Sequence, residues 1–299
     1  MATPSKVTLH TMLGNYANVA PLKSGAVHSD LVNFDFAEVK IANNLFKQVV
    51  REAKYDLAEL AIATYLQAKS YGKPYVLIPA VMVSRGQHHT IAYNAERGTL
   101  KPSDLNGKRV GVRAYTVTTG TWVRGILASD YGVDLNKVEW VTFEDSHVAE
   151  YRDPDVVKRA PPGKELLQML LDGEIDAAVV GDKLPDPRLK HLIPDPDAAA
   201  QKWAARNRGV PINHMLVVRT ELSQSRPEVV QDIFRQFQDS KRAAALPEGG
   251  ALDPYRFGVE ACRPNLEIII DFCRQQKLIS RPMSVDELFD DTTRALGAS

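Results

Sequence analysis

Cysteine is almost absent from this chain, since only two of its 299 residues are of that type. They are Cys262 and Cys273, which stand eleven positions apart in a segment with helical periodicity. That spacing fits no paired metal-ligand motif and no disulfide framework. We therefore expect both thiols to pack in the interior, without a catalytic or metal-binding role.

A net charge and long apolar runs are absent as well. Lysine plus arginine and aspartate plus glutamate each number 37, so the formal charge is zero and no long-range field attracts nucleic acid or an acidic membrane. No run approaches the roughly 18 apolar residues of a membrane span. The opening "MATPSKVTLHTM" has no apolar core of a secretory leader and favours a cytoplasmic protein. We expect a small-molecule partner that local charge recognises, and the sequence leaves open a homo-oligomer.

Short β-branched runs alternate with stretches of helical periodicity along the chain. "KVTLHTM", "YDLAELAI" and "YVLIPAVMV" predict strands of one series, and "KRVGVRA", "VEWVTF" and "IDAAVVG" predict strands of a second. This alternation is typical of an α/β protein whose sheets are mostly parallel. Open parallel sheets bind ligands where the carboxyl ends of their strands lead into helices.

The proline-rich passage "DKLPDPRLKHLIPDPD" predicts an irregular crossing between domains, because proline interrupts both helices and sheets. The strand "INHMLVVRTEL" and a helical remainder follow it. We therefore predict two lobes and two chain crossings. Residues 1–90 and 210–299 form one lobe, residues 91–209 form the other, and the ligand cleft lies between them.

Four predicted strand ends carry polar residues that suit ligand binding. They are "GNY" (14–16), "ELAIAT" (59–64), "SRGQHH" (84–89) and "YTVTTGT" (115–121). The chain resembles the 4,5-dihydroxyphthalate decarboxylase family from about residue 6 to 220. The resemblance rests on the order of these strand ends and on the segments "DLAELAIATY", "VSRGQHHT" and "GKRVGVRAYTVTTGTWVRGIL". Departures lie within the same loops, since Val83 and Gln87 replace a proline and an aromatic residue, and Arg113 with Ala114 replaces proline and glutamate.

The resemblance implies a two-lobed fold like that of type II periplasmic binding proteins. Each lobe would hold a mixed, mostly parallel sheet flanked by helices, with the ligand cleft between the lobes. It also implies decarboxylation of 4,5-dihydroxyphthalate, or a close analogue, to protocatechuate in the degradation of phthalate. The departures affect the identity of the substrate more than the fold.

The chemistry sets what such a site must contain. Direct loss of carbon dioxide from an aromatic ring leaves an anion that the π system does not stabilise. If an ortho or para hydroxyl is deprotonated, charge moves to the ring carbon, which an acid then protonates before carbon dioxide leaves. The site therefore needs cations or helix N-termini for the carboxylates, a base at the phenol and an acid at the carbon, but no cofactor.

For the carboxylates we predict two separate sites. Arg85 would clamp one carboxylate in bidentate fashion. The second would lie on the N-terminus of a helix at Thr118, Thr119 and Gly120. We expect further substrate contacts from six residues at or near the strand ends, namely Ser84, Tyr115, Arg124, Tyr16, His10 and His214.

For the proton we predict His89, in preference to His88, because histidine titrates near neutral pH without a large shift. Glu59 would polarise that histidine or accept a hydroxyl proton. The two histidines are adjacent, so on a strand they would point to opposite faces and only one would reach the site. The other is then a surface or packing residue.

Structural alternatives stand beside these roles. Arg85 pairing with a carboxylate of the other lobe would make it a latch, and Thr118 also suits a helix cap. Arg124 fits a salt bridge as well as a substrate contact, Trp122 fits the core better than the site, and His214 fits a core position equally well.

The acidic segment around residues 144–150 contains metal-ligand residue types at no defined spacing. We interpret its Glu144, Asp145, His147 and Glu150 as parts of a solvated loop and predict no metal site. Two other functions compete with the decarboxylase. One is a solute-binding protein that delivers a small carboxylate to a transporter or sensor. The other is a ligase or synthase, for which no reactive residue is evident.

Overall fold

The computed structural model describes residues 6–250 and 252–297. Helices and strands alternate along the chain, as the sequence predicts. The strands are β1 (Val7–Met12), β2 (Val32–Phe36), β3 (Leu57–Ala61), β4 (Tyr75–Ser84), β5 (Ile91–Asn94), β6 (Arg109–Val112), β7 (Glu139–Thr142), β8 (Val157–Arg159), β9 (Ala177–Val179), β10 (Leu189–His191) and β11 (Ile212–Arg219). The α-helices are α1 (Ala20–Lys23), α2 (Phe46–Glu52), α3 (Ile62–Ser70), α4 (Thr118–Tyr131), α5 (Leu166–Asp172), α6 (Pro196–Arg206), α7 (Thr220–Ser225), α8 (Pro227–Ala243), α9 (Val259–Gln275) and α10 (Asp291–Arg294).

The first sheet has the strand order β2-β1-β3-β11-β4. β1 pairs in parallel with both β2 and β3, whereas β11 is antiparallel to β3 and to β4. All five residues of β3 are buried. Helices cover both faces of such a strand, which explains why β3 and β4 appear in the sequence as nearly continuous apolar runs.

The second sheet has the order β10-β5-β9-β6-β7-β8. The pairs of β6 with β7 and β9, and of β7 with β8, are parallel, while β5 runs antiparallel to β9 and β10. Both sheets are thus mixed, and the α/β class is confirmed. The second sheet has three parallel pairs out of five, whereas the first has two parallel and two antiparallel pairs and so is not mostly parallel as expected. The first sheet uses strands from residues 7–84 and 212–219, and the second uses strands from residues 91–191. The division into lobes at residues 90 and 210 stays a prediction.

One sequence interpretation is wrong. The proline-rich passage from residue 182 to 197 is not a crossing without regular structure, because it contains β10, which pairs with β5. Its prolines flank the strand instead of interrupting it, and β10 lies at a sheet edge, where neighbouring prolines do least harm. The short strands β2, β5 and β8 were also not predicted.

The chain passes between the two sheets at residues 85–90 and again at residues 207–211. These connections lie side by side. The backbone N–H of Arg85 donates to the carbonyl of Pro211 at 3.1 Å, and Nε2 of Gln87 donates to Oδ1 of Asn213 at 2.8 Å. A change in the angle between the two sheets would therefore require these two connections to bend together.

The interior is as the sequence indicates. Cys262 and Cys273 are both fully buried and unbonded to each other, and burial raises the pKa of each thiol to about 12, which confirms their packing role. Trp122 is a core residue, packed against Trp203 and Phe272. In the part of the chain that is described, no helix combines the length and apolarity needed to cross a membrane.

Candidate active site

A cavity of about 400 Å³ lies between the carboxyl ends of strands from both sheets. We call it the cleft. Its walls are largely apolar, and its polar lining contains two arginines and two histidines. The lining residues are Tyr16, Ile41, Ala42, Asn43, Ala61, Val83, Arg85, Val112, Arg113, Val117, Thr118, Thr119, His147, Val179, Val180, Gly181, Asn213 and His214. This list includes no aspartate or glutamate, so among the described residues the cleft surface is suited to an anion with an apolar body.

The N-termini of helices α3 and α4 meet at this cleft. α3 begins directly after β3, and α4 begins at Thr118. The backbone N–H of Ala63 donates to the hydroxyl of Thr118 at 3.0 Å and so joins the two first turns. Neither helix has a side-chain N-cap in the described chain. First-turn N–H groups carry partial positive charge, which favours a bound carboxylate.

Arg85 follows β4 and belongs to the cleft lining. Its Nη1 pairs with Oδ2 of Asp182 at 2.6 Å, its Nη2 donates to the hydroxyl of Thr119 at 3.3 Å, and its Nε is buried without a partner. The arginine therefore both faces the cleft and binds a carboxylate that follows β9. The two alternatives for Arg85, ligand contact and a latch to the other sheet, are thus compatible.

A buried carboxylate stands behind one of the two cleft histidines. Glu59 on β3 is fully buried, and its Oε1 accepts a hydrogen bond from the Tyr16 hydroxyl at 2.9 Å. Nδ1 of His214 on β11 lies 3.6 Å from the same oxygen, and Oε2 of Glu59 has no partner. Burial and then the Glu59 charge raise the pKa of Tyr16, so its hydroxyl stays a hydrogen-bond donor. This geometry suits a histidine that exchanges a proton at Nε2.

The second cleft histidine, His147, comes from the segment interpreted as a solvated loop. It is buried, and its Nδ1 lies 2.8 Å from the Thr64 hydroxyl. The ring of Phe46 makes edge contacts with both His147 and His214, at centroid distances of 5.5 and 5.3 Å. Burial first, and then nearby cations, lower the pKa of His147 to about 3, so it is neutral at physiological pH.

Sequence reasoning missed His147 because its partners come from distant parts of the chain. The only local signals were the apolar Val148 and Tyr151, which are buried beside it. The three acidic residues that we predicted to lie in the solvated loop each have their own partner. Glu144 pairs with Arg113, Asp145 with Arg159 and Glu150 with Lys73. In residues 6–250 and 252–297, no three His, Cys, Asp or Glu side chains are grouped so as to hold a metal ion.

The adjacent histidines His88 and His89 do not lie on a strand, contrary to the expectation, but on a 3-10 turn (His88–Thr90). Neither lines the cleft. His88 is buried in the wall of another cavity, and burial lowers its pKa to about 4. Nε2 of His89 lies 3.4 Å from Oδ1 of Asp182, the carboxylate that also binds Arg85. The catalytic role assigned to these two histidines stays a prediction, whereas the cleft itself contains His147 and His214.

Arg124 and Tyr115 are placed behind the cleft and do not line it. Arg124 is fully buried, its guanidinium lies 3.9 Å from the centre of the Tyr115 ring, and its Nε donates to Oε1 of Gln276 at 2.7 Å. Among the described residues no carboxylate forms a salt bridge with Arg124, and the predicted substrate contact of Arg124 stays a prediction. Gly120 lies in the first turn of α4 beneath Val112.

Ser84 and His10 lie outside the cleft lining as well. The Ser84 hydroxyl donates to the carbonyl of Pro254 at 2.7 Å. Nδ1 of His10 lies 3.0 Å from Oδ2 of Asp35, and its ring stacks on Tyr55. Of the predicted contacts, the structure brings together five at the cleft surface, with Glu59 directly behind them: Tyr16, Arg85, Thr118, Thr119 and His214.

Comparisons with known proteins agree with this architecture. The sequence profile of the family described as NMT1/THI5 like matches residues 38–244. A 4,5-dihydroxyphthalate decarboxylase of Comamonas testosteroni is 32% identical over 260 residues, which cover 80% of this chain and 76% of that protein. A 4,5-dihydroxyphthalate decarboxylase of Pseudomonas putida is 34% identical over 214 residues, covering 67% and 82% of the two chains.

Similar solved structures include solute-binding proteins and an enzyme. The alkanesulfonate-binding protein SsuA of Xanthomonas axonopodis pv. citri superimposes with a TM-score of 0.56 at 10% identity, covering 97% of this chain and 99% of that one. The periplasmic aliphatic sulphonate binding protein SsuA of Escherichia coli gives a TM-score of 0.57 at 10% identity, covering 96% and 92%. The desulfurization enzyme DSZB gives a TM-score of 0.54 at 13% identity, covering 96% and 98%. At these identities the likeness concerns the fold alone, and it confirms the predicted periplasmic-binding-protein-like class.

Proposed function

Because the chain belongs to the NMT1/THI5-like family and to the 4,5-dihydroxyphthalate decarboxylases, we propose that it removes one carboxyl group from a hydroxylated aromatic dicarboxylate. 4,5-Dihydroxyphthalate is the proposed substrate and protocatechuate the product. The observation that carries the proposal is the pairing, within one apolar cleft, of an arginine anion site with a histidine backed by a buried carboxylate. A solute-binding protein needs the arginine anion site but not the histidine backed by a buried carboxylate.

The carboxylate is held where Arg85 meets the first turn of α4. Nη2 of Arg85 already contacts the Thr119 hydroxyl, so a carboxylate at this point receives donors from both elements. Valines wall the cleft next to it, among them Val83, Val117 and Val179. An apolar wall packs against the aromatic ring. It also leaves the departing carboxylate poorly solvated, which favours its loss as carbon dioxide.

The proton chemistry is divided between the two cleft histidines. Neutral His147 accepts a hydrogen bond at Nε2 from the hydroxyl para to the departing carboxylate, and a lone pair of that oxygen moves through the ring to the carbon that carries the carboxylate. That carbon takes a proton from His214, whose Nδ1 lies 3.6 Å from the Glu59 carboxylate. The bond from the resulting tetrahedral carbon to the carboxylate breaks, its electrons return to the ring, and carbon dioxide leaves.

The cycle then closes with one proton consumed. The phenolic proton stays on its oxygen, hydrogen-bonded to His147, and His214 is reprotonated from solvent. No electron is gained or lost overall, so the residues of the chain supply every group that the steps above require. A cytoplasmic location and a homo-oligomeric state remain sequence-based predictions of this proposal.

Turnover of 4,5-dihydroxyphthalate by the purified protein tests the function. We would follow carbon dioxide release and protocatechuate formation at neutral pH, with and without a chelator. His214→Asn is expected to lower kcat by about 10²–10⁴-fold, the usual effect of losing a general acid. His28→Asn, at an exposed histidine, is the matched control and is expected to leave kcat unchanged.

The same assay separates the other readings. Loss of activity in His89→Ala with full activity in His214→Asn would show that His89, the residue favoured by the sequence, transfers the proton. Tight binding of 4,5-dihydroxyphthalate without turnover would contradict the decarboxylase and support a solute-binding protein, which the anion site and the sulfonate-binding structures favour. Neither binding nor turnover would show that the cleft takes a different acid.

A further inference from the structure

A dicarboxylate needs two anion sites, and the two that the sequence predicts lie in contact with each other in the described structure. Arg85 and the N-terminus of α4 were expected to hold one carboxylate each. They are instead in contact, because Nη2 of Arg85 lies 3.3 Å from the hydroxyl of Thr119. One carboxylate placed there uses both, which leaves the second carboxylate without its predicted partner.

The cleft lining contains one more cation, Arg113, which directly follows β6. Its backbone is well held, since its carbonyl accepts hydrogen bonds from the N–H groups of Phe143 at 3.0 Å and Glu144 at 2.7 Å. Its side chain is one-third exposed and is paired with Glu144 through one contact of 3.3 Å. Ion pairs between partners this exposed are weak, so a ligand carboxylate can replace the Glu144 contact at little cost.

Arg113 also lies close in the chain to the first turn of α4. A Cβ atom placed on Gly120, in the first turn of α4, would be 2.9 Å from Cγ2 of Val112. The end of β6 therefore packs directly on that turn, and Arg113 is the next residue along. The lining of one cleft thus offers two arginines, and a dicarboxylate offers two carboxylates.

We infer that Arg113 binds the second carboxylate and makes the site selective for aromatic 1,2-dicarboxylates over monocarboxylates. The inference rests on the proposed function for the identity of the substrate, but selectivity is a property of binding and is measured without turnover. Arg85 is then required for any carboxylate, and Arg113 only for the second one.

Calorimetric titration with phthalate and benzoate tests this assignment, since neither has the ring hydroxyl that the proposed reaction needs. The wild-type protein is expected to bind phthalate at least about tenfold more tightly than benzoate. Arg113→Ala should weaken phthalate about 10- to 100-fold, the effect of losing a hydrogen-bonded charge, and change benzoate less than about twofold. Arg85→Ala should weaken both ligands.

Arg159→Ala is the matched control, because it removes an arginine of the same sheet that is paired only with the exposed Asp145 in the described structure. It should change neither affinity. Arg113→Gln, similar in length and uncharged, is measured in parallel in case the alanine variant does not fold. A wild-type protein without preference for phthalate, or an equal loss for both ligands in the Arg113 variants, would overturn the inference.

The outcome is separable from that of the proposed function. If the wild-type protein decarboxylates 4,5-dihydroxyphthalate and Arg113→Ala keeps the preference for phthalate, only the role of Arg113 fails. If the preference depends on Arg113 and no turnover occurs, the decarboxylase fails and the dicarboxylate site stands.

Discussion

The two cleft histidines differ in the group that stands behind each ring. Nδ1 of His214 lies 3.6 Å from the carboxylate of Glu59, whereas Nδ1 of His147 lies 2.8 Å from the neutral hydroxyl of Thr64. Both rings touch Phe46, so the apolar surroundings are shared and the difference arises from the partner. At the scale of the residue, this contrast separates the two roles in the proposed mechanism. His214 donates a proton to the ring carbon, and His147 accepts a hydrogen bond from the phenolic hydroxyl.

His147 gives a prediction for the pH dependence of folding. Burial, and then Arg113, Lys47 and Arg51, lower its pKa from the ordinary 6.5 to about 3. Below pH 6.5 the imidazole of His147 is therefore protonated in the unfolded chain but stays neutral in the folded protein. This contribution to stability is present above pH 6.5 and is lost as the pH falls toward 3. Between pH 7 and pH 5 the loss is about 2 kcal/mol.

Urea unfolding of the wild-type protein and of His147→Gln at pH 7 and pH 5 measures this effect. The variant should lose about 2 kcal/mol less than the wild type over that interval. His28→Gln, at an exposed position, should lose as much as the wild type. Equal losses in His147→Gln and the wild type would show that His147 is not held neutral.

At the scale of the element, helix α4 depends on glycine for its packing. A Cβ atom on Gly125 would lie 2.0 Å from Cδ2 of Phe272, so α9 approaches the backbone of α4 directly. α4 also carries the first turn that holds the Arg85 site, with Thr119 in it. Close packing at the middle of the helix thus helps to position the anion site at its N-terminus.

Gly125→Ala should therefore destabilise the protein, although alanine is the better helix former by about 1 kcal/mol. Overpacking against the Phe272 ring is expected to lower the free energy of unfolding by about 1–3 kcal/mol. Chemical denaturation of the variant measures the change. Ser129→Ala, at an exposed position of the same helix, should be neutral or slightly stabilising. A more stable Gly125→Ala variant would mean that α9 has room to move away.

At the scale of the whole molecule, the segment after β7 connects the two sheets by contacts and not only by chain. Arg51 on α2 donates from Nε to the carbonyl of His147 and from Nη2 to that of Ser146, each at 2.8 Å. Lys73 pairs with Glu150 at 2.5 Å. These contacts hold His147 against the first sheet and close one side of the cleft.

Arg51 does not line the cleft, so its effect on binding would be indirect. Arg51→Ala should release the segment around His147 and raise the Kd for phthalate about tenfold, which corresponds to ~1.4 kcal/mol. Calorimetry gives the affinity, and hydrogen exchange of residues 146–150 should become faster. Arg274→Ala, at an exposed ion pair with Asp271, is the control. An unchanged Kd together with faster exchange would show that closure by this segment does not contribute to binding.

The sequence by itself determined the features that repeat locally along the chain. Helix and strand periodicity indicated the α/β class, because each pattern depends on neighbours only a few residues apart. Since carboxyl ends of strands collect at a sheet edge, the strand ends also identified Tyr16, Arg85 and Thr118 as cleft residues, with Glu59 beside them. For His214, on the returning strand, the sequence left a cleft position and a core position open.

Only the tertiary structure decided which of these groups meet. His147 enters the cleft through Thr64 and Phe46, Arg113 comes beside the first turn of α4, and Arg85 merges with Thr119 into one anion site. A turn instead of a strand at His88–Thr90 likewise keeps both of its histidines out of the cleft lining. The contacts of His147 and of Arg85 join residues tens of positions apart, which no local pattern of the sequence encodes.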